Sequence, residues 1–179
     1  MRPSSRTKIL QAAVRVTERH GITALTLEAA AEEAGLTKPG LMYHFRTRDE
    51  LLMGIQRHLT ETWEELLLAE LGKPLGQSTA RERAAAYARV NANGPASKAE
   101  LAFMVESAAS PELAQVWNDL MARWVPQPLA PDPVQLDLFL ARLAADGLWL
   151  FEATRPAPLA PEVKQALIRR ITALTEPPA

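Results

Sequence analysis

The sequence predicts an all-α protein, and three observations carry that prediction. Apolar residues recur at spacings of three and four between proline and glycine breakers. Alternating runs of Val, Ile, Thr and aromatic residues, the mark of strands, are absent. Most segments open on a Ser, Thr or Asp, whose side-chain oxygen accepts from the backbone N–H groups that the first turn of a helix leaves unpaired. The pattern argues against a βαβ nucleotide-binding fold.

Taken in order, the first helix is expected over 5–20 from its apolar spacing, followed by 27–34 after Thr26 and 38–45 after Thr37. Capping boxes at Thr47-Arg48-Asp49-Glu50, Thr79-Ala80-Arg81-Glu82 and Ser97-Lys98-Ala99-Glu100 open helices 48–71, 80–93 and 98–109. Ser110-Pro111, Asp132-Pro133 and Pro161 place proline in a first turn, where its missing N–H does no harm, and open 111–125, 133–154 and 162–175. About nine helices result, divided into an N-terminal domain over 1–50 and a second domain over 51–179.

Composition bounds the function. With 179 residues, 47% hydrophobic and 23% charged, the chain can bury a core and has room for one domain or two small ones. There is no cysteine, which excludes disulfides, thiolate zinc sites, iron-sulfur clusters and a cysteine nucleophile. No apolar run approaches the roughly 18 residues of a membrane span, and the N-terminus lacks the apolar stretch of a secretory signal, so a cytoplasmic location is the default. Net charge is -1, yet residues 1–50 carry a balance of +2 and residues 51–179 one of -3. The excess of positive charge points to the N-terminal end for any contact with a polyanion.

Residues 26–45 form the most informative stretch. An alanine-rich segment, Thr26 to Ala34, and a second short segment, Lys38 to Phe45, flank Gly35-Leu36-Thr37. Gly35 stands where an unusual backbone would end the first helix, and Ala31, Leu36 and Leu41 can pack where the two helices cross. This is the arrangement of a helix-turn-helix, whose second helix enters a major groove. Backbone N–H groups and hydroxyls at Thr26 and Thr37 suit phosphate oxygens, although both also read as plain helix caps. Lys38 can reach a guanine edge or a phosphate, and Gly40 permits close approach of the backbone. Tyr43 can hydrogen-bond a phosphate, His44 reads equally as a contact or a surface residue, and Phe45 reads as core. Arg2, Arg6 and Lys8 read either as further phosphate contacts or as a solvated basic end.

Leu25-Thr26-Leu27, Gly35-Leu36-Thr37-Lys38, Leu41-Met42-Tyr43-His44-Phe45 and Arg48-Asp49-Glu50-Leu51-Leu52, at these spacings, resemble the N-terminal domain of TetR-family transcriptional regulators. The motif covers about a quarter of the chain. The resemblance implies a two-domain, homodimeric repressor whose divergent C-terminal domain binds a small ligand and thereby weakens its hold on a double-stranded DNA operator. It carries DNA-contact roles to Thr26, Thr37, Lys38, Gly40, Tyr43 and His44, and a phosphate contact to Arg48. Pro39 belongs to the same DNA-contact set and occupies a recognition-helix position where the family often has a small or polar residue, a departure that bears on side-chain base readout there.

In the second half, 133–154 is apolar nearly all round, and one monomer cannot easily cover both faces. Leu136, Phe139, Leu140, Leu143, Gly147 and Phe151, with Leu167 and Ile171 of the last helix, are therefore expected to form a four-helix bundle across a twofold axis. Trp63, Tyr87, Phe103, Met104, Trp117, Met121 and Trp124 are candidate walls of a ligand pocket, the alternative for each being plain core. A mostly apolar effector is favoured, and Glu106 leaves a cationic one open. The role of the proline-rich segment 126–133 is open between a connector and a pocket wall. The three histidines, His20, His44 and His58, are scattered, and no P-loop, GxSxG or dinucleotide glycine pattern occurs. Neither an enzyme, a cofactor nor a metal site is expected. The competing reading is a helical architectural or interaction module that binds DNA without an effector.

Overall fold

A computed structural model describes residues 4–94, 97–155 and 157–177. Among them nine α-helices follow in order: α1 (Ser5–His20), α2 (Leu27–Glu33), α3 (Lys38–Met42), α4 (Arg48–Leu71), α5 (Ala80–Asn93), α6 (Lys98–Ala108), α7 (Pro111–Trp124), α8 (Pro133–Thr154) and α9 (Pro161–Ala173). No strand occurs among the described residues. The helix ends follow the local chemistry. Thr79 accepts from the Glu82 N–H while the Glu82 carboxylate accepts from the Thr79 N–H at 2.8 Å, a complete capping box. Asp132 caps α8 through the Gln135 N–H at 2.9 Å. The other two boxes are built differently: the Glu50 carboxylate accepts from the Arg46 N–H at 2.7 Å, and at α6 a carboxylate of α1, Glu18, accepts from the Ala99 N–H at 2.7 Å.

The chain forms two compact units. The first ends at Glu61 and takes in Ser97–Trp117, so it is larger than the 1–50 block expected from motif length alone. Its core gathers Ile9, Leu10, Leu25, Leu41, Phe45, Leu51, Leu52 and Ile55 with Ala99 and Phe103 of α6. A fully buried Gln56 explains much of the inclusion. Its Nε2–H donates to the Phe103 carbonyl at 2.9 Å, and its Oε1 accepts from the Trp117 indole at 2.6 Å, which joins α4 to α6 and α7 without leaving a buried amide unpaired. Gly54 lies against the Phe45 ring: a Cβ there would stand 2.6 Å from Cε1 of that ring.

The second unit begins at Thr62 and continues from Asn118. Alanines let its helices approach closely, with Ala88 and Ala92 of α5 facing Ala141 and Ala145 of α8, and Leu148, Ile168 and Ile171 closing the core. One polar cluster joins α5 to α8. The Tyr87 hydroxyl donates to Asp146 Oδ1 at 2.5 Å, and the Asn91 amide donates to the same oxygen at 2.7 Å. Partial burial pushes the Asp146 carboxyl above its usual range, and the Tyr87 hydroxyl, Arg142 and Asn91 oppose that rise.

Gly54→Ala is expected to lower stability by about 1–3 kcal/mol through overpacking against Phe45, read from urea unfolding. An unchanged midpoint would contradict the close approach. For Asp146, a folded pKa above the unfolded one means that ionisation disfavours the fold, so its contribution declines as pH rises from 3.8 upward. The stability of Asp146→Asn relative to the natural chain should therefore increase between pH 4 and pH 7 (about the range over which a raised carboxyl titrates); a flat difference would show that Asp146 ionises normally.

Candidate nucleic-acid interface

The helix-turn-helix is assembled from local signals. Ala34 ends α2, and Gly35 turns the chain with φ +68°. The Leu36 N–H then reaches the Ala31 carbonyl at 2.9 Å and the Gly35 N–H the Glu32 carbonyl at 3.0 Å, a Schellman closure that satisfies the helix-end carbonyls. Thr26 caps α2 through the Ala29 N–H at 3.0 Å, and Thr37 caps α3 through the Gly40 N–H at 3.2 Å. Pro39 sits in the first turn of α3. A Cβ on Gly40 would stand 3.2 Å from Thr37 Oγ1, so glycine also leaves room for the cap hydroxyl.

Helix α3 has two faces. Leu41 is fully buried and Phe45, just past the helix, nearly so, while Thr37, Lys38, Pro39 and Tyr43 are exposed and His44 is half-buried. Tyr43 keeps 87% of its surface in solvent, an unusual position for an aromatic side chain with no role in the core. Its ring meets that of His44 edge-on at 5.3 Å. Lys38 pairs with Glu28 of α2, and that pairing is the main cause holding the Glu28 carboxyl below its usual range. Arg6 lies over the Phe45 ring at 5.1 Å and Lys8 is exposed; Arg2 falls outside the described residues.

Arg48 is only half-buried but is held by three partners. Its Nε–H donates to the Leu25 carbonyl at 3.2 Å, one terminal nitrogen pairs with Glu106 of α6 at 3.0 Å, and the other reaches the Ile22 carbonyl at 3.5 Å. In this conformation the guanidinium serves the α1–α2 turn and α6 rather than standing free for a phosphate. Glu106 is correspondingly committed to Arg48. Both Glu106 and His44 border a half-open cleft of about 780 Å³, whose walls carry charges of both signs, among them Arg6, Arg57 and Glu112.

The ligand candidates divide between the two units. Phe103, Met104, Glu106 and Trp117 belong to the first unit, and Trp63, Tyr87, Met121 and Trp124 to the second. Phe103 is core, Met104 is exposed, the Trp117 indole is spent on Gln56, and Tyr87 is spent on Asp146. Trp124 lines a pocket of the second unit, one of about 220 Å³ beside the proline-rich segment. The dimer candidates divide by face. Leu136, Leu140, Leu143, Gly147 and Phe151 form an exposed stripe along α8, and Leu167 is exposed on α9. Ile171, one turn further along α9, is buried in the core of its own unit, and Phe139 lines the same pocket as Trp124. Gly54, Gln56 and Glu18 position this interface without having been singled out in the sequence. Among the described residues no group of three or more His, Asp or Glu side chains is placed to hold a metal ion, and no helix is long and apolar enough to cross a membrane.

Comparison with known proteins agrees with this architecture. A family model for bacterial regulatory proteins of the tetR family matches residues 9–54, and one for the tetracyclin repressor-like C-terminal domain matches residues 81–176. The HTH-type transcriptional regulator BetI of Cronobacter sakazakii is 27% identical, over 93% of this chain and 88% of its own. A transcriptional regulator from Rhodococcus sp. Rha1 superposes with a TM-score of 0.69 at 25% identity, over 96% of each chain. A regulator from Saccharomonospora viridis, solved in complex with choline, superposes with a TM-score of 0.68 at 19% identity, over 94% of each chain.

Arg48→Ala takes the side-chain donor from the Leu25 carbonyl and from Glu106, while the Ile22 carbonyl keeps the Leu25 N–H at 3.1 Å, and is expected to cost about 1–3 kcal/mol in denaturant unfolding. Glu106→Ala removes only a partly exposed ion pair and should cost less than about 1 kcal/mol. Equally small losses would make Arg48 an ordinary surface cation.

Proposed function

The chain belongs to the TetR family of bacterial transcriptional regulators, and from that premise we propose that it is a cytoplasmic homodimeric repressor that leaves a pseudo-palindromic operator when a small molecule occupies its second unit. One observation carries the DNA half of this reading: α3 turns Leu41 and Phe45 inward and leaves Thr37, Lys38, Pro39 and Tyr43 exposed to solvent, with Gly40 and His44 partly so. That face suits a major groove. Thr26 and Thr37 stand at helix N-termini where phosphates are favoured, Lys38 exchanges Glu28 for a phosphate or a guanine edge, and Tyr43 reaches a phosphate through its hydroxyl.

The dimer half rests on the apolar stripe of α8. Leu136 at 40%, Leu140 and Leu143 at 51% and Phe151 at 38% exposure lie at helical spacing, with Val163 and Leu167 exposed on α9. A continuous patch of that kind on a small soluble chain is covered by a partner, and two such helix pairs across a twofold axis give a four-helix bundle. Twofold symmetry in the protein then calls for a palindrome in the DNA. The effector is read as a mostly apolar small molecule. Choline, held by the Saccharomonospora viridis regulator, widens the range of effectors to test to cations.

Selection of bound sequences from a random duplex pool, followed by titration of the winner with protein sized by sedimentation, tests the reading. A palindrome bound by a dimer is expected, with Lys38→Ala reducing the salt slope of log K by about 0.9 for one lost phosphate contact. Weak binding alike for all sequences, or a monomer at micromolar concentration, would contradict it.

A further inference from the structure

We propose that the pocket beneath the proline-rich segment of the second unit is a binding site for an uncharged aromatic molecule of one or two rings. The pocket, about 220 Å³, lies among the first turns of α5, the end of α7 and the start of α8. An apolar cavity of about 150 Å³ in another protein stays dry and takes benzene, so this volume suits a substituted single ring or a small bicycle. Ala84, Trp124, Leu138 and Phe139 supply apolar walls, and Pro126 and Pro128 close the rim.

The walls are fixed before any ligand arrives. Trp124 is 1% exposed, and its indole N–H donates to Glu64 at 3.1 Å. The Val125 carbonyl accepts from Arg142 at 2.9 Å, which ties the start of the segment to α8, and the prolines hold their own φ. A preformed pocket loses little freedom on binding.

Charge decides the ligand class. No lining residue carries a formal charge. The walls already engage Arg142, whose guanidinium sits 5.6 Å from the centre of the Phe139 ring. That ring's attraction for a cation is thus in use, and a second positive charge would meet Arg142. An anion would give up its hydration to apolar walls with Arg142 already bonded to Val125 and facing Asp146. A neutral ring with at most a hydroxyl or carbonyl, which Gln127 or Gln135 can serve, meets neither cost. Choline and other quaternary cations do not suit this pocket.

The site stands on the pocket itself; only its consequence for DNA rests on the repressor reading above. The test is ¹⁹F NMR of 4-fluorotoluene with the full chain and no DNA. Saturable line broadening is expected with the natural chain, unaffected by a large excess of choline, and at least tenfold weaker in Ala84→Leu, which fills the pocket from a helical position. Circular dichroism and melting confirm that this variant is folded. Leu138→Ala enlarges the pocket, so it should shift preference toward 1-fluoronaphthalene. No saturable binding, displacement by choline, or an unchanged preference in Leu138→Ala together with full binding by folded Ala84→Leu would overturn the proposal. A separate titration of protein bound to its selected duplex keeps the two readings apart. Probe binding without DNA release counts against ligand release and leaves the site standing, whereas release by choline without probe binding does the reverse.

Discussion

Helix α3 is five residues long, and a helix of that length does not hold itself together in water. Its shape is imposed by Leu41 and Phe45, buried against α1 and α4, and by the space that Gly54 leaves for the Phe45 ring. Every statement about the outward face follows from that anchoring. Because Leu41 and Phe45 point in, Tyr43 and the Thr37–Gly40 turn point out, and the Thr37 cap sets where the first turn begins. The reading face is thus a property of the core beneath it more than of the residues it displays.

The same unit carries its own control points. Lys38 is paired to Glu28 and Arg48 to Glu106, so two of the cations expected to meet DNA already have acidic partners. The two differ in kind. Lys38 holds one exposed pair that a phosphate can replace, whereas Arg48 also holds two backbone carbonyls that a phosphate cannot satisfy. Through Glu106, Phe103 and Trp117, α6 and the start of α7 belong physically to the DNA-facing unit, which gives a change in α6 a direct route to α4.

What was legible in the sequence was what local chemistry decides. Caps and first-turn prolines placed the ends of α4, α5 and α8 where they occur, since a Thr, Asp or Pro acts within its own turn. Gly35 announced the turn for the same reason. The allegiance of α6 was hidden because it depends on pairings across dozens of residues, Glu18 with Ala99 and Gln56 with Trp117. Gly54 did leave a trace: a glycine inside a helix costs about 1 kcal/mol against alanine, so its presence asked for a packing reason that only the Phe45 ring supplies. The aromatic and methionine residues read as pocket walls belong to both units, and helical spacing reports which side chains turn inward without saying whether they meet a void. Ile171 and Leu167, four residues apart and so on neighbouring lines of α9, differ in burial, a distinction that depends on where α5 and α8 lie.

The central claim, that α3 on its buried anchors is the element that meets DNA, is tested most directly by amide hydrogen exchange of the full chain with and without its selected duplex. Protection concentrated at Thr37–His44 and at the N-terminus of α2, with α8 and α9 unchanged, is the predicted result. Protection elsewhere, with the amides of α3 exchanging as fast on DNA as off it, would contradict the account.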